Sequence, residues 1–385
     1  MKKPFIRRFS KKILIVSNFI IAIMFIAGAS VKYLDPEKWW FLSLFTLLLP
    51  YLLFFLLLFF LFWLLVKPLW TLISVAAVII SFHAVQSIFP LNFSNFTLEK
   101  PAHTLRVMSW NVEFFNILNH KDHPEKKQQM LDIINEYHPD IACFQEVVAG
   151  ENKNAINNLS DIIDSLRFKE YFYSYRIEND FDKEHHYGIL VLSKYPILRK
   201  QTIVNNPNDY NSTYQFIDVL INNDTIRVFN VHLQSLKFSS DNKKYLDKGP
   251  AKNEKNIEES VSIIGKIRKG IIKRSSQAFY LKDEMNHSPY PIILCGDFND
   301  VPVSYAYETI GEGLQNAFVK KGSGISRTYN SISPTLRIDN IFADKFFTIN
   351  QFDRIKVNLS DHFPIVADMS FGNMIQKDST KINDK

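Results

Sequence analysis

From Ile13 to Phe89 almost every residue is apolar, and a run of that length leaves a chain few ways to fold. A helix buried in a soluble core still carries a polar face at the helical period, and no such face recurs here. The run divides into three stretches, Ile13–Val31, Trp39–Val66 and Leu69–Phe89. Each is near or above the ~20 residues that a bilayer's hydrocarbon core requires. Three transmembrane α-helices are expected. Trp39, Trp40 and Trp70 fall at the ends of stretches, where interfacial aromatics settle. Ala27-Gly28-Ala29-Ser30 is small enough for a signal-peptide cleavage site, but the two spans that follow favour an uncleaved anchor.

Charge sets the expected orientation. Lys2, Lys3, Arg7, Arg8, Lys11 and Lys12 precede the first stretch, so the positive-inside rule puts the N-terminus in the cytoplasm. Three crossings then carry everything past residue 90 outside it, and the expected setting is a plasma or inner membrane. The formal net charge of +6 divides unevenly: residues 1–98 hold 9 Lys and Arg against 2 Asp and Glu, and the remainder holds 36 against 37. The basic balance belongs to the anchor and is no nucleic-acid footprint on the rest. Cys143 and Cys295 each sit in an apolar strand and read as small buried hydrophobes, not as a disulfide framework.

Beyond residue 100 apolar strands alternate with helical patterns, the signature of a layered α/β domain. Thr104–Asn111 alternates as a strand, and Lys126–Tyr137 has helical spacing closed by His138-Pro139. Asp140–Glu146 is again an apolar strand. His186–Ser193 follows, then a hairpin around Asn222-Asn223-Asp224 whose second strand ends at His232. Residues 236–290 divide into a polar, lysine-rich excursion and an amphipathic helix that aligns Val261, Ile264, Ile267 and Ile271 for covering a sheet. Ile292–Leu294 runs into Cys295-Gly296-Asp297-Phe298-Asn299, and strands from Arg337 to Phe342 and around Ser360–Val366 close the domain. The expected boundaries are 1–90 for the membrane domain, 91–102 for a linker, 103–371 for the α/β domain and 372–385 for a disordered tail.

The strand ends carry polar residues in a fixed order. They are Asn111, Glu146, Asn230 with His232, Asp297 with Asn299, Asp339, and Asp361 with His362. One such residue is ordinary strand-end hydrogen bonding; an ordered set of this composition is hard to explain by packing. Hard oxygen donors with no cysteine favour Mg²⁺ or Mn²⁺ over structural zinc. Phosphate ester hydrolysis needs a cation, a base near the water and a proton source for the leaving oxygen.

The set resembles the motifs of the endonuclease/exonuclease/phosphatase superfamily, the deoxyribonuclease-like fold, over about residues 103–371. The resemblance implies two packed mixed β-sheets flanked by helices, a four-layer sandwich with its site at one rim. It implies that Glu146, with Asn111 beside it and Asp361 nearby, holds the metal. It makes Asp297 the group that orients or deprotonates water, Asn299 the phosphate holder and His232 a stabiliser of the pentacovalent phosphate. His362 becomes the general acid/base or a phosphate contact, steered by Asp339. Beside this, Asn230 is a candidate for lining the substrate rim with Gln145 in support, and plain strand-end hydrogen bonding is the competing account of both. Glu113 is either a further group on the phosphate or metal side or an exposed surface residue. One departure is the middle strand, where Tyr187-Gly188 precedes Ile189.

The expected activity is a membrane-anchored, Mg²⁺-dependent phosphoesterase cleaving a phosphodiester or phosphomonoester outside the cytoplasm. The anchor, the near-neutral soluble part and His232-Leu233-Gln234, similar to a segment of sphingomyelinase-like members, lean toward a lipid or small phosphoester. A nuclease acting on extracytoplasmic DNA or RNA is the runner-up. A non-catalytic binding module is the third reading, and the complete set of ligand residues stands against it.

Overall fold

In this computed structural model the described residues are 2–152, 155–177, 180, 182–204, 213–236, 242 and 255–372. The tail expected after residue 372, and most of the polar excursion expected before the long amphipathic helix, lie outside them. Helix α1 (Lys2–Ala29) leads through a 3₁₀ turn and the short α2 (Pro36–Trp39) into α3 (Leu44–Val66). Two stretches, Arg8–Ala29 and Pro36–Val66, are long and apolar enough to cross a membrane. The third expected span is broken. A 3₁₀ turn and α4 (Thr71–Ile80) give way at Ser81 to α5 (Phe82–Ile88), bent by 75°. After the bend, α5 keeps Ala84 and Ile88 in the apolar core of these helices and places His83 Nε2 3.0 Å from Glu308 of the following domain. Phe25, Leu49, Leu56 and Ala77 form the buried core of these helices.

Residues 91–102, read from sequence as a linker, are docked. Asn92 Nδ2 donates to the carbonyls of Val319 and Gly322 at 3.0 and 2.7 Å, and Thr97 N donates to Gln351 Oε1 at 3.0 Å. Arg106 fixes the far end: it makes a two-pronged pair with Asp368 at 2.7 and 2.8 Å and donates to Leu98 O. Both charges are almost wholly buried, which the structure tolerates because each is paired and hydrogen-bonded.

Two six-stranded sheets follow. The first runs β11 (Phe347–Arg354), β12 (Ile365–Phe371), β1 (Thr104–Asn111), β2 (Ile141–Ala149), β4 (His186–Ser193), β3 (Glu170–Tyr175). The second runs β5 (Ile197–Val204), β6 (Thr213–Ile221), β7 (Asp224–His232), β8 (Ile292–Asp297), β10 (Asp339–Ala343), β9 (Gln315–Asn316). The β1–β2 and β7–β8 pairs are parallel and the others antiparallel, so both sheets are mixed. Their facing sides bury Val107, Ile141, Val228, Ile293 and Ile341, with both cysteines free among them. Helices α6 (Glu125–Tyr137) and α7 (Leu159–Leu166) cover the first sheet; α8 (Lys255–Asn286) and α9 (Tyr305–Gly311) cover the second. The short α10 (Ala317–Lys321) packs beside β11. The expected four-layer arrangement is present.

The long helix α8 turns only part of the expected stripe inward, Ile271 but not Val261 or Ile264. Val261 and Ile264 are 65% and 45% exposed, whereas Ile263, Ile271, Ala278, Leu281 and Met285 are buried. The rotation brings Arg274 under the sheet, where its Nε lies 3.0 Å from Asp300 Oδ2.

At Gly296 the sheet leaves no room for a side chain. A Cβ there would lie 2.0 Å from Val231 O on the neighbouring strand. Gly296→Ala is therefore expected to destabilise the protein by about 2–3 kcal/mol through forced separation of β7 and β8. Thermal melting of the purified protein checks this, and an unshifted melting temperature would contradict the close approach.

Candidate active site

Because parallel neighbours β1 and β2, and β7 and β8, end at the same side of the sandwich, their C-terminal tips converge on one rim. Asp297 closes β8 and pairs in register with Asp339 at the start of β10 and with His232 at the end of β7. Asp339 Oδ2 lies 2.9 Å from His362 Nδ1. His362 Nε2 in turn lies 3.7 Å from Asp297 Oδ2 and 3.9 Å from Asp361 Oδ1. On the other flank His232 Nε2 stands 3.5 Å from Glu146 Oε1 and 3.6 Å from Asp297 Oδ2. Asn111 Nδ2 donates to Asp297 Oδ2 at 3.1 Å.

Glu146 reaches this cluster through a backbone irregularity. The β2–β4 register shifts between Phe144 and Val147, and Glu146 takes φ +51°. A bulge of this kind re-aims a side chain at the price of local strain, and such strain collects at functional positions. Gln145, one residue earlier, points between the sheets, where its Nε2 donates to Asn230 Oδ1 at 2.7 Å. Asn299 also has a positive φ, +50°.

Electrostatics divide the rim. Burial opposes a charged imidazole at His362, but Asp339 and Asp297 outweigh it and hold its pKa well above the ordinary value. Burial pushes Asp297 upward, against the pull of His362. Burial first, and the negative charge of Asp361 next, push Glu146 up to about 7, with 22% of its side chain open to the cavity. The same two causes raise Glu113. A cavity of about 420 Å³ fronts the cluster, lined by Glu113, Glu146, Asp297 and Asp361 together with His362.

Two sequence expectations need correction. Asn230 does not line the rim: it is fully buried, with Nδ2 donating to Phe144 O and Leu190 O and Oδ1 accepting from Gln145. It bridges the two sheets. Asn299 does not present its amide to a phosphate; Nδ2 donates to Leu233 O at 3.0 Å and to Asp297 Oδ2 at 3.3 Å, while its N–H donates to Asp297 Oδ1 at 2.8 Å. It braces Asp297. The remaining expected residues, Asn111, Glu146, His232, Asp297, Asp339, Asp361 and His362, are brought together.

Other members carried no usable sequence signal. Ser360 Oγ donates to Asn111 O and accepts from His362 N, and Trp110 Nε1 donates to His362 O at 2.9 Å, so both hold the His362 loop. The Tyr329 ring lies 5.0 Å from the His362 ring. Ser43, Thr46 and Leu47, at the start of α3, line the same cavity.

The donor set fits a hard divalent cation. Asp297, Asp339 and His362 offer atoms within 4.8 Å of one another. In that trio, however, Nδ1 of His362 is already engaged by Asp339 Oδ2 at 2.9 Å, and the two carboxylates favour the charged imidazole over a metal-binding neutral one. Asp361 instead raises the charge cost of both Glu146 and Glu113, and Arg274 in the same lining is engaged by Asp300. Carboxylate and amide oxygens with surplus negative charge suit Mg²⁺ or Mn²⁺.

The Endonuclease/Exonuclease/phosphatase family profile matches residues 108–362, and that of a domain of unknown function matches residues 11–88. No curated protein matches the chain in sequence. Among solved structures, the endonuclease/exonuclease/phosphatase from Beutenbergia cavernae is 17% identical, with 70% of this chain and 72% of that one covered at a TM-score of 0.50. The mannosyl-6-phosphatase Bt3783 of Bacteroides thetaiotaomicron is 19% identical, covering 69% of this chain and 100% of that one at a TM-score of 0.48. TDP2 of D. rerio, complexed with single-strand DNA product, is 17% identical, covering 69% and 99% at a TM-score of 0.49. The family's members are hydrolases acting on phosphate esters. With the family profile covering two thirds of the chain and every strand tip of the rim from Asn111 to His362, the chain belongs to the endonuclease/exonuclease/phosphatase family.

Proposed function

We propose that this chain is a membrane-anchored, divalent-metal-dependent phosphoesterase whose residues 103–371 are catalytic and lie outside the cytoplasm. The observation that carries the reading is one rim where Glu146, Asp361 and Asn111 adjoin Asp297, His232 and the Asp339–His362 pair. Glu146, with Asn111 and Asp361, would hold Mg²⁺ or Mn²⁺. Such an ion, when bound, neutralises phosphoryl oxygens and stabilises charge developing on them. Asp297, braced by Asn299 and Asn111, orients the attacking water and takes its proton. His362, kept protonated by Asp339, supplies the proton that the leaving oxygen needs. His232 offers a donor to the phosphoryl oxygens from the β7 side.

The reaction is tested on the full chain in detergent with p-nitrophenyl phosphate and bis-p-nitrophenyl phosphate. Metal-dependent release of nitrophenol that stops on chelation is expected. No release from either ester in Mg²⁺ or Mn²⁺ would return the chain to the binding-module reading.

The orientation is supported by the six basic residues before the first span and by where the helices touch the catalytic domain. Lys32, between α1 and α3, and His83, after α4, both contact Glu308, so both lie on the catalytic side. That leaves Lys67, between α3 and α4, with the N-terminus on the other. A reporter enzyme that folds only outside the cytoplasm, fused after Lys385, should be active. Activity confined to a cytoplasm-only reporter would reverse the orientation.

A further inference from the structure

We infer that the start of the second membrane helix is a wall of the active site, and that the substrate is a lipid phosphoester whose hydrocarbon portion lies against it. The inference rests on the phosphoesterase reading and adds the substrate class. Ser43, Thr46 and Leu47 line the cavity that Glu146, Asp297 and His362 line from the other side. The same lining carries an apolar group, Phe114, Leu118, Leu236, Ile271 and Leu336, alongside the polar Ser235, Arg274, Ser304 and Tyr329. The apolar group and Leu47 give an acyl or alkyl chain a surface to lie against, while the polar residues remain for the phosphate and headgroup.

Height in the membrane agrees. Helix α3 has 23 residues. At about 1.5 Å per residue, ~20 residues counted back from Val66 span a ~30 Å hydrocarbon core and end near Leu47. Trp39 and Phe41, 47% and 43% exposed just before it, are placed as interfacial aromatics are. A lipid's phosphate at headgroup level thus meets the carboxylates, and its chains meet Leu47. Two further observations join the domains at this point. Ser43 Oγ is buried, lines the cavity and has no hydrogen-bond partner among the described residues, leaving a hydroxyl for a headgroup oxygen. Val303, six residues after Asp297, is fully buried in the same apolar cluster as Leu49 and Leu52. The loop that carries Asp297 and Asn299 is therefore seated on α3.

The step balances without a further reactant. Water gives its oxygen to phosphorus, the ester P–O bond breaks, and the leaving alcohol takes a proton. The test uses the full chain in detergent, Mg²⁺, and phosphatidate and phosphatidylglycerol with dibutyroyl, dihexanoyl and dioctanoyl chains below their critical micelle concentrations. Bis-p-nitrophenyl phosphate runs in parallel. For at least one headgroup, kcat/KM is expected to rise about tenfold or more from dibutyroyl to dioctanoyl, since each added methylene gains apolar contact. Leu47→Trp, which fills the wall, and Leu47→Ala, which removes it, should each flatten that rise to about twofold. Nitrophenyl ester cleavage with no chain-length rise in either lipid series would overturn this inference and leave the phosphoesterase reading standing. Failure to cleave any of the esters would remove both. A rise that both Leu47 variants preserve, in proteins that melt as wild type does, would place the hydrocarbon elsewhere and overturn the role of α3.

Discussion

Glu146→Gln is expected to lower kcat/KM by a factor on the order of 10³, equivalent to ~4 kcal/mol of transition-state stabilisation. The substitution keeps the shape of the side chain and removes its charge. The fold should not suffer. In the absence of cation the Glu146 carboxyl is already pushed up to about 7 by burial and by Asp361, so a neutral amide is no harder to bury. The ion's effect on stability provides the control. Anything that binds only the native state raises its stability by mass action. Mg²⁺ should therefore raise the melting temperature of the wild type and leave that of Glu146→Gln nearly unmoved. Undiminished turnover at limiting Mg²⁺ would mean that the metal is held elsewhere, and the Asp297–Asp339–His362 group would become the first alternative.

How much of this was readable beforehand depended on whether a residue's role is set by its own strand or by what packs against it. Apolar strands ending in Asn, Glu, Asp and His are visible in one dimension, so Asn111, Glu146, Asp297, Asp339 and His362 could be found from the sequence. Depth along a strand could not. Asn230 and His232 stand two apart on β7 and face the same way, yet the first is sealed between the sheets and the second reaches the rim. The direction of Asn299's amide was hidden for a similar reason, because Leu233 O, which holds it, belongs to a neighbouring segment. In α8 two apolar stripes compete, and the Arg274–Asp300 pair helps decide which one turns inward. The bend at Ser81 and the cavity wall at Leu47 are settled by contacts between domains, such as Lys32 with Glu308 across 276 positions, and no local pattern encodes those.

Asp339→Asn and His362→Ala are expected to be strongly non-additive. Loss of a general acid lowers turnover by about 10²–10⁴. His362→Ala should fall in that range, Asp339→Asn somewhat above it, and the double variant close to His362→Ala alone, because residues acting as one unit cannot be lost twice. The geometry behind the expectation is the 2.9 Å contact between Asp339 Oδ2 and His362 Nδ1, which leaves Nε2 toward the cluster. Stability carries an independent signature. The folded pKa of His362 lies above 6.5, despite burial, chiefly through Asp339 and Asp297. A raised pKa of this kind contributes its full stabilisation below the unfolded value and loses it as pH rises through the folded one. The melting-temperature gap between wild type and Asp339→Asn should accordingly narrow with increasing pH. In the rival account Asp339 is a strand-end residue receiving Thr328's support and His362 a filler beside Pro364. Thr328 Oγ1 does accept from the Asp339 and Ile338 amides at 3.0 and 2.9 Å, but those bonds use the backbone and leave the carboxylate for the imidazole. The rival predicts additive losses in kcat/KM that track the melting temperatures. A double-mutant cycle with melting curves at several pH values separates the two, and additive effects with a pH-independent gap would withdraw the acid role from His362 and the steering role from Asp339.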